Sequence, residues 1–230
     1  DAGFRGAVIC CHGGLTQLTQ LKDRRVVAES GVACAKVARF CAKAGFSGAE
    51  FLAGIPGTVG GALAMNAGAF GSEIWDIVDY VELINRDGEI EQHPCSSFKT
   101  GYRWVELLPD HWFVSATLKL LRGSEDEGRQ RIRSLLVERS KKQPIQASSA
   151  GSVFRNPAKD YAARLIDETG LKGLKIGDAM VSNQHANFIV NTGNACAWDI
   201  EKLIMCIQTR VKAKFGVLLE TEVRIVGERL

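Results

Sequence analysis

Apolar positions along this chain recur at two spacings, and the change from one to the other marks out its elements. Short apolar runs at residues 8–11 and 25–28 predict strands. Ser30-Gly31 then opens a helical pattern, with Cys34, Val37, Ala38 and Cys41 along one stripe and Gly45 as its stop. Residues 77–93 read as a strand, the turn Asn85-Arg86-Asp87-Gly88 and a returning strand. Over 112–121 the alternation places Trp112, Val114, Ala116, Leu118 and Leu120 on the buried side of a strand. Ser124 and Glu127 form a capping box for a charged helix that carries Ile132, Leu135 and Leu136 and ends before Pro144. That helix reads as the linker between two halves.

The second half begins with a small, polar loop at 146–150. A helix over 160–169 closes on Gly170, and 186–191 predicts a strand. A longer helix over 199–214 turns Ile200, Leu203, Ile204, Ile207 and Val211 inward. The tail at 217–226 predicts a last strand. Its period of two puts Val217, Leu219, Thr221, Val223 and Ile225 on one face, against Glu220, Glu222 and Arg224 on the other. Strands and helices mix without regular βαβ alternation, so the expected class is α+β.

With 230 residues the chain can bury a full core in one large domain or two smaller ones. The net charge of +3 is small and spread out, which argues against a nucleic-acid face or a membrane-binding patch. No apolar run approaches a spanning helix. Seven scattered cysteines show neither zinc-site spacing nor a disulfide framework. Their neighbours are mostly apolar, so they read as buried reduced thiols in a cytosolic protein, with no metal expected.

One stretch breaks the ordinary rules of loop composition. Gly54-Ile55-Pro56-Gly57-Thr58-Val59-Gly60-Gly61 leads through Asn66-Ala67-Gly68 to Gly71 without a single charged residue. Glycine lets a backbone approach a ligand closely and reach positive φ, and bare N–H groups form nests for anions. A buried crossover between packed elements would give the same composition, and both readings stand. A Walker phosphate loop is excluded because no Gly-Lys-Ser/Thr follows, and the dinucleotide spacing does not fit. Elsewhere, Ser152 sits behind Gly151 with no His/Asp pattern to make it a hydrolase nucleophile. Taken alone it is a turn hydroxyl, as Arg103 is a surface residue, His185 a structural residue at a strand start, and the charges of 220–224 a solvated face.

Five segments, in order, carry a resemblance. They are the glycine run; Tyr102-Arg103; Ala150-Gly-Ser-Val-Phe-Arg-Asn-Pro157; Leu171 to Asn191, with Lys172 and His185; and Leu219-Glu-Thr-Glu-Val-Arg-Ile-Val-Gly227. Together they resemble the UDP-N-acetylenolpyruvoylglucosamine reductase family. The resemblance implies the second lobe of an FAD-binding domain of the vanillyl-alcohol-oxidase type over residues 1–142. An α+β substrate domain follows over 143–230. It implies FAD held by Gly54, Ile55, Pro56, Gly57, Thr58, Val59, Gly60, Gly61, Asn66, Ala67 and Gly68. It makes Arg103, Ser152 and Glu222 catalytic and gives Tyr102, Arg155, Asn156, Lys172 and His185 to the substrate and NADPH, with Lys175 a further candidate for phosphate. Arg155 stands where the family commonly has lysine, and Val105 where it has serine.

The implied reaction carries a hydride from NADPH through FAD to the enolpyruvyl group of a UDP-sugar, in peptidoglycan precursor synthesis. Arg103 and Glu222, the latter protonated or acting through water, would stabilise enolate charge and Ser152 would protonate carbon. Such roles expect the three side chains to converge. Two rivals are a flavin oxidase acting on another substrate and a non-catalytic relative of the same scaffold. The chain starts at Asp1, and nothing before residue 54 resembles the family's first flavin loop. The expectation is therefore an incomplete flavin lobe that binds FAD poorly, with a mobile glycine run.

Overall fold

The computed structural model describes residues 3–11 and 13–227. These fall into two compact units that divide between Glu138 and Arg139, with residues 3–7 grouped with the second.

The first unit is built on a five-stranded antiparallel sheet. Its order is Leu18–Gln20, Arg25–Glu29, Trp112–Lys119, Val78–Ile84, Ile90–Pro94. The helix Val59–Met65 packs on its central strands, and the helix Cys34–Lys43 packs on the 3-10 turn Glu50–Gly54. The stripe Cys34, Val37, Ala38 and Cys41 is buried as its spacing predicts, in one cluster with Val26, Leu52, Leu63, Ile74, Leu83 and Leu118. That helix starts later than Ser30 for a physical reason. The Ser30 N–H bonds the Val114 carbonyl, the Gly31 N–H bonds the Leu15 carbonyl, and Ala33 bridges to Thr58. Residues 30–32 thereby form a turn, closed by the Val32 N–H to the Glu29 carbonyl at 3.0 Å, between the sheet and the glycine run.

The hairpin forms as expected, with Ile84 opposite Ile90. The Asn85 Oδ1 accepts the N–H groups of Asp87 and Glu89 at 2.9 and 3.0 Å, and Gly88 takes φ +83°. The central strand departs from its predicted alternation. A bulge between Phe113 and Ser115 turns Phe113 inward and leaves Trp112 52% exposed, after which Ala116 and Leu118 face the core as predicted.

The second unit carries a four-stranded antiparallel sheet in the order Ser149–Ser152, Phe188–Asn191, Ala179–Val181, Lys175–Ile176. The helix Ala197–Phe215 buries Leu203, Ile204, Ile207 and Val211 and ends at Gly216 in the left-handed region. The helix Ala162–Glu168 adds Leu165 and Ile166 to the same core, together with Phe154, Leu171 and Leu219.

Two predicted strands are absent. Residues 8–11 are non-regular and 8–10 are exposed, with Val8 at 78% and Ile9 at 87%. The tail makes a single bridge, Thr221 opposite Phe154. The N–H groups of Glu222 and Val223 both go to the Val153 carbonyl, at 2.8 and 3.4 Å. Two successive donors cannot share one acceptor and remain rungs of a ladder, so the pairing stops there.

Candidate active site

The glycine run is a sequence of short elements rather than a loose loop. It leaves the turn Glu50–Gly54, forms the helix Val59–Met65, and closes in the hairpin Gly68–Ala69/Ser72–Glu73. Two of its glycines are required by the chain's own packing. A Cβ on Gly54 would lie 2.5 Å from the Phe70 ring, and one on Gly60 would lie 2.9 Å from the Ser30 Cβ. The run is stitched to residues 30–34 by Val59 N–H to the Val32 carbonyl, Gly60 N–H to the Ser30 carbonyl and Cys34 N–H to the Gly57 carbonyl.

Other glycines are not explained by internal packing. Gly57 has φ +120° and nothing within 4 Å of an added Cβ, while on Gly61 the nearest atom is the Thr58 hydroxyl at 3.9 Å. Pro56, Gly57 and Gly61 are exposed. A ledge bare of side chains, with a threonine hydroxyl beside it, fits close approach by a flat cofactor such as FAD. The Asn66 side chain is different. It is 1% exposed, and its amide donates to Glu73 Oε2 at 2.7 Å and to the Gly101 carbonyl at 3.1 Å. Its backbone, with Ala67 and Gly68, remains part of the run's edge.

Arg103 occupies the tip of the hairpin Thr100–Gly101/Trp104–Val105, at φ +56°. Its guanidinium reaches the Gly68 carbonyl at 3.4 Å and lies over the Tyr102 ring, 5.2 Å from the centroid. The structure thus brings Tyr102 and Arg103 to the same edge as Asn66 and Gly68. Val105 is partly buried against the core.

In the second unit Ser152 ends a strand beside Phe188. The residues after it pair with the tail: Arg155 N–H to the Glu220 carbonyl, Glu222 N–H to the Val153 carbonyl. Ser152 and Glu222 therefore flank one backbone junction. Asn187 locks it, donating from Nδ2 to the Phe154 carbonyl at 2.8 Å and accepting the Phe154 N–H at Oδ1 at 3.0 Å. Nothing in the sequence pattern singled out Asn187 for this work, although a buried amide between apolar neighbours is an irregularity. Asn156 accepts the Ala162 N–H at 3.1 Å and so holds the start of the helix Ala162–Glu168. The Arg155 Nε is buried without a hydrogen-bond partner.

Lys172 pairs with Asp167 at 2.5 Å. It also lies near enough to His185 for its charge to be felt there. Burial first, and then the Lys172 charge, hold the imidazole below its ordinary value, against a backbone hydrogen bond that raises it. The Asn187 N–H donates to His185 Nδ1 at 3.3 Å, which places the ring proton on Nε2 when the ring is neutral. The two residues expected to face a nucleotide thus lie within electrostatic reach of one another. Among the described residues no group of three His, Cys, Asp or Glu could hold a metal, and no helix is long and apolar enough to cross a membrane.

Comparison with known proteins agrees with both units. Residues 1–93 match the FAD binding domain family, and residues 143–226 match the C-terminal domain of UDP-N-acetylenolpyruvoylglucosamine reductase. The UDP-N-acetylenolpyruvoylglucosamine reductase of Methylococcus capsulatus is 53% identical over 99% of this chain and 75% of its own length. That of Alkalilimnicola ehrlichii is 50% identical over 99% of this chain and 76% of its own. The crystal structure of the Thermus caldophilus enzyme (MurB) superposes with a TM-score of 0.79 at 38% identity, covering 90% of this chain and 75% of that one.

An FAD-binding unit with this second α+β unit defines the class as FAD-dependent oxidoreductases. Relatives of this similarity and coverage narrow the class further. The chain belongs to the UDP-N-acetylenolpyruvoylglucosamine reductase family, whose cofactors are FAD and NADPH.

Proposed function

We propose that this chain catalyses the NADPH-dependent reduction of UDP-N-acetylenolpyruvoylglucosamine to UDP-N-acetylmuramate, in peptidoglycan precursor synthesis in the cytoplasm. In this reading the flavin half runs to about residue 142, and residues 143–230 form the substrate half. The ledge of Pro56, Gly57, Thr58 and Gly61, with the backbone of Gly54 to Gly68, holds FAD. FAD held there would supply the hydride chemistry that links NADPH to the alkene.

The chain's own residues supply charge, a proton and placement. Hydride addition would leave enolate charge on the substrate carboxylate, where Arg103 stabilises it together with Glu222, the glutamate acting as the neutral acid or through a water. Ser152 then delivers its hydroxyl proton to the inner carbon as a general acid. Lys172, Arg155 and Lys175 take the diphosphate, while Tyr102, Asn156 and His185 line the substrate and NADPH.

The observation that carries this reading is the bond from the Glu222 N–H to the Val153 carbonyl at 2.8 Å. It supports the reading because it joins the Glu222 main chain to the residue after Ser152, as an acid and a charge stabiliser for one three-carbon group require. The test is NADPH oxidation by the FAD-loaded protein, with and without the enolpyruvyl UDP-sugar. Oxidation that depends on this substrate supports the proposal. Oxidation indifferent to it, with product formed from another acceptor, gives the chain to a different flavin chemistry.

A further inference from the structure

We propose that Asn66 is a positioning residue for Arg103, holding the hairpin that carries the arginine through a side-chain clamp anchored on Glu73. The inference rests on the catalytic role given to Arg103 above. An arginine at an exposed hairpin tip samples many orientations unless something fixes the backbone beneath it. Here that backbone is in the left-handed region at φ +56°, a conformation a side chain of this size adopts at a cost.

Three contacts tie the tip to the Asn66–Gly68 segment. The Asn66 Nδ2 donates to the Gly101 carbonyl at 3.1 Å, on the strand that enters the tip. The Arg103 Nη2 donates to the Gly68 carbonyl at 3.4 Å, two residues beyond Asn66. The Tyr102 ring lies under the guanidinium at 5.2 Å. Val105, just past the tip, has an apolar side chain packed against the core, so its side chain offers no hydrogen bond toward the arginine.

The asparagine is itself held. Nδ2 has two N–H groups, and the second acceptor is Glu73 Oε2 at 2.7 Å. The Trp75 N–H donates to Oδ1 at 3.5 Å. Glu73 is fixed in turn by a reciprocal pair with Asp76, whose Oδ2 accepts the Glu73 N–H at 2.8 Å and whose own N–H bonds the Glu73 side chain. The path Asp76, Glu73, Asn66, Gly101 is continuous, exposed at the Asp76 end and part-buried at Asn66.

A helix cap alone does not call for this arrangement. Asn66 ends the helix Val59–Met65 at φ +43°, a position where glycine serves as well or better. Capping needs only the backbone, whereas the amide here reaches a carbonyl 35 residues along the chain. With both donors committed and the side chain buried, the amide is directed at the hairpin and not at a bound ligand.

Asn66→Gly keeps the cap and removes the clamp, and it is best read in a double-mutant cycle with Arg103→Ala. In the Arg103 background, substrate reduction per bound flavin is expected to slow by about 10–100-fold. In the Arg103→Ala background the same substitution is expected to cost less than about twofold. Amide exchange at residues 102–105, which needs no flavin, is expected to quicken by about tenfold while Val81 and Leu83 are unaffected. Equal losses in both backgrounds, or unchanged exchange at the hairpin, would overturn the proposal. If Arg103→Ala itself leaves substrate reduction intact, the role of Arg103 falls, and the exchange still decides the clamp. Should Asn66→Gly fail to fold, Glu73→Ala removes the anchor and is expected to show the same pattern at smaller size.

Discussion

Glu222 donates its backbone N–H to the carbonyl of Val153, the residue that follows Ser152, at 2.8 Å. Two residues from opposite ends of the second unit are joined by main chain, so their separation does not depend on side-chain rotamers. The junction is backed by Phe154, fully buried beneath it, and by both ends of the Asn187 amide. For the proposed reaction, a serine hydroxyl and a glutamate on such a frame would be preorganised without long flexible arms.

Ser152→Ala is expected to separate the two halves of the reaction. Reduction of the flavin by NADPH delivers no proton to substrate carbon and should be nearly unchanged. Substrate reduction should slow by roughly two to four orders of magnitude, the usual worth of a positioned acid. Stopped-flow absorbance follows both halves separately. Equal slowing would mean that the hydroxyl binds substrate and does not protonate it.

The Asn187 amide is expected to matter to stability more than its position suggests. Asn187→Ala strips both partners from the Phe154 main chain in a buried site, where each unsatisfied group costs about 1–3 kcal/mol. A loss of roughly 2–4 kcal/mol in urea unfolding is the expected result. A loss below about 0.5 kcal/mol would show that the junction relaxes and pairs elsewhere.

Much of this was legible in the chain, and the failures have physical causes. The helix stripe from Cys34 to Cys41 and the hairpin around Asn85 to Gly88 carry their own periodicity and turn chemistry, so local sequence determines them. The tail failed as a strand because its alternation is real but its partner is not an edge. Val153 to Arg155 offers only a few groups before the acceptor is shared, which no pattern within 217–226 can reveal. The bulge at Val114 is likewise set by the neighbouring strand. In the glycine run, composition could not tell a ledge from a crossover, and the structure has both: Gly57 and Gly61 face open space, while Gly54 and Gly60 are packed against the chain itself. The partners of the Asn66 amide, Glu73 and Gly101, are brought to it only by the fold, so no local pattern announces those bonds.

That division of the glycines gives a direct test of the cradle. Gly61→Ala adds a Cβ to the exposed side of a helix, with only the Thr58 hydroxyl near, at 3.9 Å. Without ligand it should stabilise the protein by up to about 1 kcal/mol, the ordinary helix preference for alanine over glycine. If the ledge meets FAD, affinity measured by quenching of flavin fluorescence should fall at the same time. Gly60→Ala, by contrast, should destabilise the ligand-free protein, since its Cβ would lie 2.9 Å from the Ser30 Cβ. Unchanged FAD affinity in Gly61→Ala would take that edge out of the cofactor site.

Cys34 and Cys41 are buried, and burial pushes both thiols up to about 12, with the charge of Glu50 adding to the rise at Cys41. The thiolate is the reactive form, so neither should react with iodoacetamide in the native protein. Cys10 and Cys196 are exposed and should be labelled first. Mass spectrometry of the labelled peptides checks the order. Early labelling of Cys41 would mean that its helix opens on the time scale of the reaction.

The last expectation concerns His185 and acid. Burial and the Lys172 charge hold its folded-state value below the ordinary 6.5. Between the lowered value and 6.5 the unfolded chain binds more protons than the folded one, so stability rises with pH across that window. The contribution of the neutral imidazole is complete above 6.5 and is lost as pH falls from there through the folded value. The geometry agrees, because protonating Nδ1 would set an N–H against the Asn187 N–H that now donates to it at 3.3 Å. His185→Gln keeps an acceptor for that N–H and removes the titration. Thermal unfolding of both proteins between about pH 5 and pH 8 should show a steeper acid loss for the wild type, with the two curves parallel above 6.5. Curves parallel throughout would mean that the imidazole takes up its proton as readily folded as unfolded, and the neutral ring assigned to the nucleotide site would have to be abandoned.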